Sequence, residues 1–152
     1  KDELFREAVE HYAIYAGAEI WGAVTNADTA RGAIEGYLLA TARAFTRGDR
    51  PSGCLVVLSA LHANGATAGL RDDLVDKRGQ SVEDLAAVLQ RGVERGELPA
   101  GLDVRAVARF YATVQQGMSI QARDGADRAT LEGIAHAALA AWEPLLVSAP
   151  AA

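Results

Sequence analysis

The sequence is poor in cysteine, methionine, proline and aromatic residues. Cys54 is the one cysteine among 152 residues, so no disulfide can form within the chain, which fits the reducing setting of cytoplasmic proteins. No run approaches the roughly 18 apolar residues that a membrane span needs, and no signal peptide is visible. We therefore expect a cytoplasmic protein that has no membrane segment.

Clustered basic charge is also missing. The net charge is −5, and the nearest approach to a basic cluster (Arg43, Arg47 and Arg50) is interrupted by Asp49. Because phosphate contacts require clustered lysine and arginine, these residues do not predict a surface that binds nucleic acid. Glycine loops for phosphate, zinc-type cysteine spacing and a nucleophile elbow are absent too. We predict no enzyme activity and no cofactor.

The residues that are present indicate one all-α domain. Half of the residues are hydrophobic and 23% are charged, as in an ordinary globular protein. Apolar residues recur at helical spacing, and the segment 54–61 is the one ambiguous stretch. It has the composition of a buried strand, but no partner strand is evident, so we interpret it as a short helix. The pattern predicts an antiparallel bundle of about six helices, near residues 2–21, 29–47, 54–61, 70–96, 104–123 and 128–146.

Five residues are expected to begin or end these helices. Asp28, Asp103 and Asp127 are suitable N-caps, because an aspartate side chain accepts hydrogen bonds from free N–H groups of the first turn. Gly96 is suited to the position just after a helix. Pro144 is expected to bend or end the last helix.

The last predicted helix is apolar nearly all round. Between Ile134 and Trp142 only His136 is polar, so this helix needs cover on more than one side. In a short chain, a second copy of the protein is a natural source of that cover. Gly117 and Gly133 lie within the last two helices, at a cost of roughly 1 kcal/mol each relative to alanine. Close approach of helices or the lining of a cavity would offset that cost, and the position of these two glycines in the last two helices favours close approach.

Three stretches together resemble the TetR family of bacterial transcriptional regulators. Residues 1–9 resemble the start of the helix that links the DNA-binding and regulatory domains of that family. Residues 51–56, Pro-Ser-Gly-Cys-Leu-Val, resemble the opening of the sixth helix in one TetR subgroup. Residues 110–119 and 122–125 resemble the eighth helix of the same subgroup. The resemblance covers the whole chain, and the stretches occur in the family's order.

The resemblance implies a fold like the TetR C-terminal domain. Residues 1–147 would form a regulatory domain that binds a ligand and dimerises, with 1–20 as the linking helix and 148–152 as a tail. The helix-turn-helix that reads DNA would lie upstream of this chain. A small apolar or aromatic effector would tilt the linking helix and so change the spacing of two DNA readers, whose half-sites are about 34 Å apart. The protein would thus act as a homodimeric repressor that contacts DNA only through the upstream domain.

The candidate effector-binding residues are large or polar side chains on otherwise apolar stripes of the first five helices. A pocket of this type is mostly apolar, with a few polar groups that orient the ligand. For each residue, packing in the core is the alternative. The buried glutamine among them needs a hydrogen-bond partner, either a ligand or a tyrosine hydroxyl. The predicted set is Tyr12, Tyr15, Tyr37, Leu58, His62, Leu89, Tyr111, Gln115 and Met118.

The candidate dimer interface takes residues from the last two helices. An aromatic side chain such as Trp142 is a natural centre of binding energy in such a surface. Packing within one subunit is the alternative. The predicted set is Phe110, Thr113, Gly117, Ile120, Leu131, Ile134, Ala135, Ala138, Leu139 and Trp142.

Two other functions stay open: a helical-bundle enzyme or metal carrier, and a dimerisation module without a ligand. Glu7 with His11, and Glu132 with His136, are spaced to share a metal. The inward glutamates and Glu-x-x-His pairs of di-iron bundles are absent, so we predict no metal site. Cys54 follows a turn at a predicted helix start. Two interpretations stay open: a reactive thiol whose pKa is lowered at the helix N-terminus, or a buried structural thiol.

Overall fold

The computed structural model describes residues 2–62 and 68–147, except for the side chains of residues 2, 60–62 and 68. Within these ranges the chain forms helices and no strand, which confirms the predicted all-α fold. None of the described helices combines the length and hydropathy needed to cross a membrane. The described helices are α1 (Asp2–Thr25), α2 (Ala30–Phe45), α3 (Leu55–His62), α4 (Ala68–Glu94), α5 (Val104–Arg123), α6 (Arg128–Leu139) and α7 (Trp142–Val147).

Helix α2 lies at the centre of the bundle. Ten of its 16 residues are buried, and α1, α4, α5 and α6 all contact it. Small side chains allow the close approach: a Cβ atom at Gly36 would lie 3.0 Å from the carbonyl oxygen of Ala23 in α1. The helix that is covered on several sides by the same chain is therefore α2.

Three of the predicted helix ends are confirmed. The side chain of Asp103 accepts a hydrogen bond from the N–H of Ala106, and that of Asp127 accepts one from the N–H of Thr130. Gly96 follows α4 with a φ of +75°, a left-handed conformation that glycine adopts without strain. These signals are local in sequence, so they act in the same way whatever the tertiary fold.

The predicted cap of α2 was wrong by one residue. Thr29, not Asp28, is the N-cap, and its hydroxyl oxygen accepts a 3.0 Å hydrogen bond from the N–H of Gly32. A second free N–H, that of Ala30, donates to a carboxylate oxygen of Glu97 at 2.8 Å. Since Glu97 comes from the distant loop between α4 and α5, the helix start is completed by tertiary structure.

The last predicted helix is two helices in the structure, α6 and α7. The break falls at residues 140–141, and Pro144 lies in the first turn of α7. Proline has no N–H, so no bond can form from residue 144 to the carbonyl of Ala140, and the helix ends there. In the first turn of a new helix the missing N–H costs little, because it would have no partner within the helix.

Two clusters of buried side chains hold the bundle together. The larger one joins α2 to α4, α5, α6 and α7, and α1 reaches it through Ile20 and Val24. The smaller one joins Val9 of α1, Val56 of α3 and Leu74 of α4. Cys54 packs against both clusters. A cavity opens close to Cys54, between the two clusters.

Candidate ligand-binding cavity

A cavity of about 240 Å³ lies among the first five helices. Helix α1 supplies six of its lining residues, two of them aromatic, at helical spacing along one face: Tyr12, Ala13, Ala16, Gly17, Ile20 and Trp21. The buried end is closed by Tyr37 and Phe45 of α2, Cys54, Val56, Val57 and Ala112. The polar part comes from α4 and α5: Lys77, Arg78, Gln80, Ser81, Asp84, Gln115 and Gln116. The cavity therefore has an aromatic and aliphatic end and a polar end.

The segment before α3 is anchored to three helices. The N–H of Gly53 donates to the carbonyl of Phe45 at 3.1 Å, and the N–H of Cys54 donates to the hydroxyl oxygen of Ser119 at 2.8 Å. The hydroxyl of Tyr12 donates to the carbonyl of Gly53 at 3.3 Å. These bonds fix the position of Cys54 at the cavity wall.

Ser119 is expected to be a structural contributor to this anchor. Its side chain is completely buried, and Ser119→Ala leaves the N–H of Cys54 without its acceptor. We expect the free energy of unfolding to fall by about 1–3 kcal/mol, as for other hydrogen-bond partners lost from buried donors. Urea denaturation measures this change. Ser81→Ala is the control, because that hydroxyl bonds only to the carbonyl four residues before it, and it should cause no comparable loss.

The two tyrosines of the cavity are neutral hydrogen-bond donors. Tyr37 is 2% exposed, and burial raises the pKa of its hydroxyl well above the ordinary value of 10. Burial likewise raises the pKa of Tyr12. Both hydroxyls therefore stay protonated near neutral pH.

The thiol of Cys54 behaves as a buried group. Burial raises its pKa, and this outweighs the opposing effects of the N–H groups of Val57 and Val56, the Tyr12 hydroxyl and the positive charge of Arg78. A raised pKa means little thiolate near neutral pH, which is the nucleophilic form. Of the two interpretations of Cys54, this favours the structural thiol.

The polar end of the cavity contains groups with and without partners. The Lys77 ammonium lies 2.5 Å from a carboxylate oxygen of Glu10, and the amide of Gln80 donates to Asp84 at 2.8 Å. Within the described part of the chain, the side-chain amides of Gln115 and Gln116 make no hydrogen bond. The lining thus retains unused donors and acceptors.

The structure brings three of the predicted pocket residues together in this cavity: Tyr12, Tyr37 and Gln115. Leu58 lines a second cavity, of about 700 Å³, that shares the Tyr12 wall and includes Arg50 and Arg123. The side chain of His62 lies outside the described residues.

Four other predicted pocket residues do not line either cavity. Tyr15 points outward with 69% of its surface exposed, and its ring stacks on His11 at 4.6 Å. Leu89, Tyr111 and Met118 are buried in the larger cluster. For these three residues the alternative prediction, packing in the core, is confirmed.

Sequence reasoning missed the aromatic and charged lining at Trp21, Phe45, Lys77 and Arg78. The rings of Trp21 and Tyr37 lie 5.8 Å apart, so the aromatic end is built from two helices. A basic pair in the middle of a long amphipathic helix looks like solvent-facing surface. Lys77 and Arg78 are followed closely by Gln80 and Ser81, so this turn of α4 is polar on several sides. That pattern could have indicated a polar part of the cavity lining.

The predicted interface residues divide into two groups. Thr113, Gly117 and Ile120 are exposed, and Phe110 and Ile134 are half-buried. The remaining five are buried within the same chain, so they offer no open surface to a partner: Leu131, Ala135, Ala138, Leu139 and Trp142. Their cover comes from the larger cluster, which includes α2.

Neither Glu–His pair is joined by further metal-ligand side chains. The described residues contain no group of three or more His, Cys, Asp or Glu side chains placed to hold a metal ion. Glu132 instead accepts a 2.7 Å hydrogen bond from Arg128.

Comparison with known proteins identifies the family. A family model described as the tetracyclin repressor-like C-terminal domain matches residues 32–138. The chain therefore belongs to the TetR family of transcriptional regulators.

Individual relatives agree with this assignment. The chain is 38% identical to a cysteine mutant of the TetR family regulator CifR, solved with a 26-bp operator DNA, over 91% of this chain and 73% of that one, with a TM-score of 0.87. It is 29% identical to the HTH-type transcriptional repressor ComR of Escherichia coli K12, over 96% of this chain and 70% of ComR. A TetR regulator from Rhodococcus sp. RHA1 is 26% identical, with a TM-score of 0.67, over 94% of this chain and 74% of that one.

Proposed function

We propose that this chain is the effector-sensing and dimerising part of a TetR-family repressor. A small apolar or aromatic effector binds in the 240 Å³ cavity and controls DNA binding by a helix-turn-helix domain that precedes α1. The observation that carries the proposal is the share of α1 in the lining: six residues, from Tyr12 to Trp21. A ligand in this cavity necessarily touches the helix that would lead to the DNA reader.

The proposed switch works through the packing of α1. Six residues on one face of α1, between Tyr12 and Trp21, line the cavity, so an effector favours the α1 position in which the cavity best fits it. An effector changes DNA affinity only as far as it binds the two α1 positions unequally. The match to a regulator solved with operator DNA supports this assignment.

The proposed dimer surface is the exposed face of α5 and α6. Thr113, Gly117 and Ile120 lie on α5, with Gly133 and Ala137 exposed on α6. A Cβ atom at either glycine would meet nothing within 4 Å in this chain. The fold of one subunit does not need glycine at either position, and the two glycines, on contacting helices and beside small exposed residues, leave room for the close approach of a second subunit. The pair of helices would form a four-helix interface with its symmetry mate.

Blocking the cavity is expected to abolish ligand-induced stabilisation. Ala16→Phe places a ring in the α1 wall, whereas Ala87→Phe adds the same ring to the exposed face of α4. A compound at 100 times its Kd stabilises the native chain by about 2.7 kcal/mol. A thermal-shift screen of one- and two-ring aromatic compounds should therefore find ligands that raise the Tm of the wild type and Ala87→Phe, but not of Ala16→Phe. Equal Tm shifts in all three proteins, or none in the wild type, would contradict the proposal.

A further inference from the structure

The geometry points to an anionic effector, a compact aromatic carboxylate whose charged group binds Arg78 at the polar end of the cavity. This inference rests on the proposed effector-binding function and names the chemical class of the ligand. Most arginines in the described part of the chain already have an acidic partner.

Arg78 differs from every other arginine in the described part of the chain. Its side chain forms no ion pair with the described residues, although it is half-buried and lines the cavity. The other arginines without an ion pair are all exposed to water: Arg31, Arg91, Arg109 and Arg123. A guanidinium keeps its charge at any ordinary pH, and partial burial without a partner is costly. An anionic ligand would supply the missing partner.

The charged neighbours of Arg78 in the cavity lining form no ion pair with it. Lys77 is paired with Glu10 of α1, and the carboxylate of Asp84 accepts a hydrogen bond from the amide of Gln80. Burial raises the pKa of Cys54, and the positive charge of Arg78 is the smallest of the effects that oppose it. Cys54 and Arg78 line the same cavity.

Neutral donors line the same cavity. The hydroxyl of Tyr37 remains protonated, and the amides of Gln115 and Gln116 have no partner among the described residues, whereas the hydroxyl of Tyr12 already donates to the carbonyl of Gly53. A carboxylate accepts several hydrogen bonds, and bonds to a charged group are about twice as strong as neutral ones.

The other end of the cavity suits an aromatic ring. Trp21, Tyr37 and Phe45 line it, and the Trp21 and Tyr37 rings are tilted at 48° with a gap of 5.8 Å between centroids. The volume of about 240 Å³ is below the roughly 300–1,000 Å³ typical of ligand pockets. A ligand of one or two rings is therefore the size that fits.

Aromatic rings also attract organic cations, so the sign of the ligand charge has to be tested. Three naphthalene probes of similar shape separate the classes: 2-naphthoate, 2-naphthamide and 2-naphthylmethylammonium. A parallel series of benzene derivatives covers smaller ligands. Isothermal titration calorimetry of the 152-residue chain at neutral pH measures each Kd.

We expect the carboxylate to bind more tightly than the amide, and the ammonium probe to bind least well. Arg78→Gln should weaken carboxylate binding by roughly 10- to 100-fold, the usual loss for a hydrogen bond to a charged group, but should change amide binding by less than about threefold. Arg91→Gln, an exposed change on the same helix, should leave every Kd unaltered. Far-UV circular dichroism of each variant verifies that it is folded.

Failure of this inference is distinguishable from failure of the proposed function. If the amide binds as well as the carboxylate, or if Arg78→Gln leaves carboxylate binding intact, the anion assignment is overturned while the cavity keeps its role. Tightest binding by the ammonium probe overturns it in favour of a cationic effector. Absence of binding by every probe in both series overturns the effector cavity itself.

Discussion

Gly53→Ala is expected to lower the free energy of unfolding by about 3 kcal/mol. Gly53 has a φ of +86°, which is strained for alanine. The new Cβ would also lie 2.7 Å from the carbonyl oxygen of Ser119 and 3.0 Å from Leu58. The clash involves backbone, so it cannot be relieved by rotating a side chain. Urea denaturation followed by circular dichroism measures the loss.

Gly96→Ala separates the two causes of that loss. Gly96 has a similar φ of +75°, but a Cβ there would meet nothing within 4 Å. Gly96→Ala should therefore lower the free energy of unfolding by about 1 kcal/mol, the cost of the positive φ alone. If both variants lose equal stability, the carbonyl of Ser119 does not lie against Gly53, and the loop before α3 packs less closely on α5. The cavity wall would then differ as well, because the carbonyl of Gly53 accepts the hydrogen bond from Tyr12.

The helices that were predicted most accurately are those whose limits depend on local chemistry. Helix α5 was predicted from residue 104 to 123 and is observed at Val104–Arg123. Asp103 satisfies a free N–H of its first turn through its own side chain, so the signal lies within four residues of sequence. The start of α2 depends partly on Glu97, 67 residues away from Ala30, and no local pattern contains that information.

The apolar character of the last predicted helix indicated that other helices must cover it. It did not indicate whether those helices belong to the same chain or to a second copy. Residues 131, 135, 138, 139 and 142 lie on one stripe, and the structure buries that stripe within the same chain. The opposite face has small exposed residues, including Gly133 and Ala137. Hydrophobic periodicity identifies a buried face and cannot show whether the same chain or a second copy buries it. The helix that the chain covers on several sides is α2, ten of whose 16 residues are buried.

The lining of the cavity was only partly predictable, for a geometric reason. Tyr37 and Tyr111 are both buried tyrosines on apolar stripes, yet Tyr37 lines the cavity while the hydroxyl of Tyr111 lies 3.5 Å from the carbonyl of Ala138. Tyr12 and Tyr15 are three residues apart, and the rotation of α1 turns one inward and the other to solvent. Such outcomes are set by helix rotation and packing, which composition and spacing do not specify.

The other large effect is expected at the proposed dimer surface. Gly117→Arg places a long charged side chain on the exposed face of α5, between Thr113 and Ile120. In a close helix pair this charge would be buried without a partner, at a cost of about 4 kcal/mol, which weakens association roughly a thousandfold. Sedimentation equilibrium should find a dimer for the wild type and a monomer for the variant at micromolar concentration.

The matched control is Gly79→Arg, because Gly79 is also an exposed helical glycine whose Cβ would meet nothing within 4 Å. Both substitutions replace glycine within a helix and should favour helix formation by roughly 0.8–1 kcal/mol. Neither should therefore unfold the subunit, and only Gly117→Arg should lower the mass in solution. A dimeric Gly117→Arg variant would place the interface elsewhere on the surface. A wild-type monomer at tens of micromolar would mean that Gly117 and Gly133 are exposed for another reason, since no partner would then approach them.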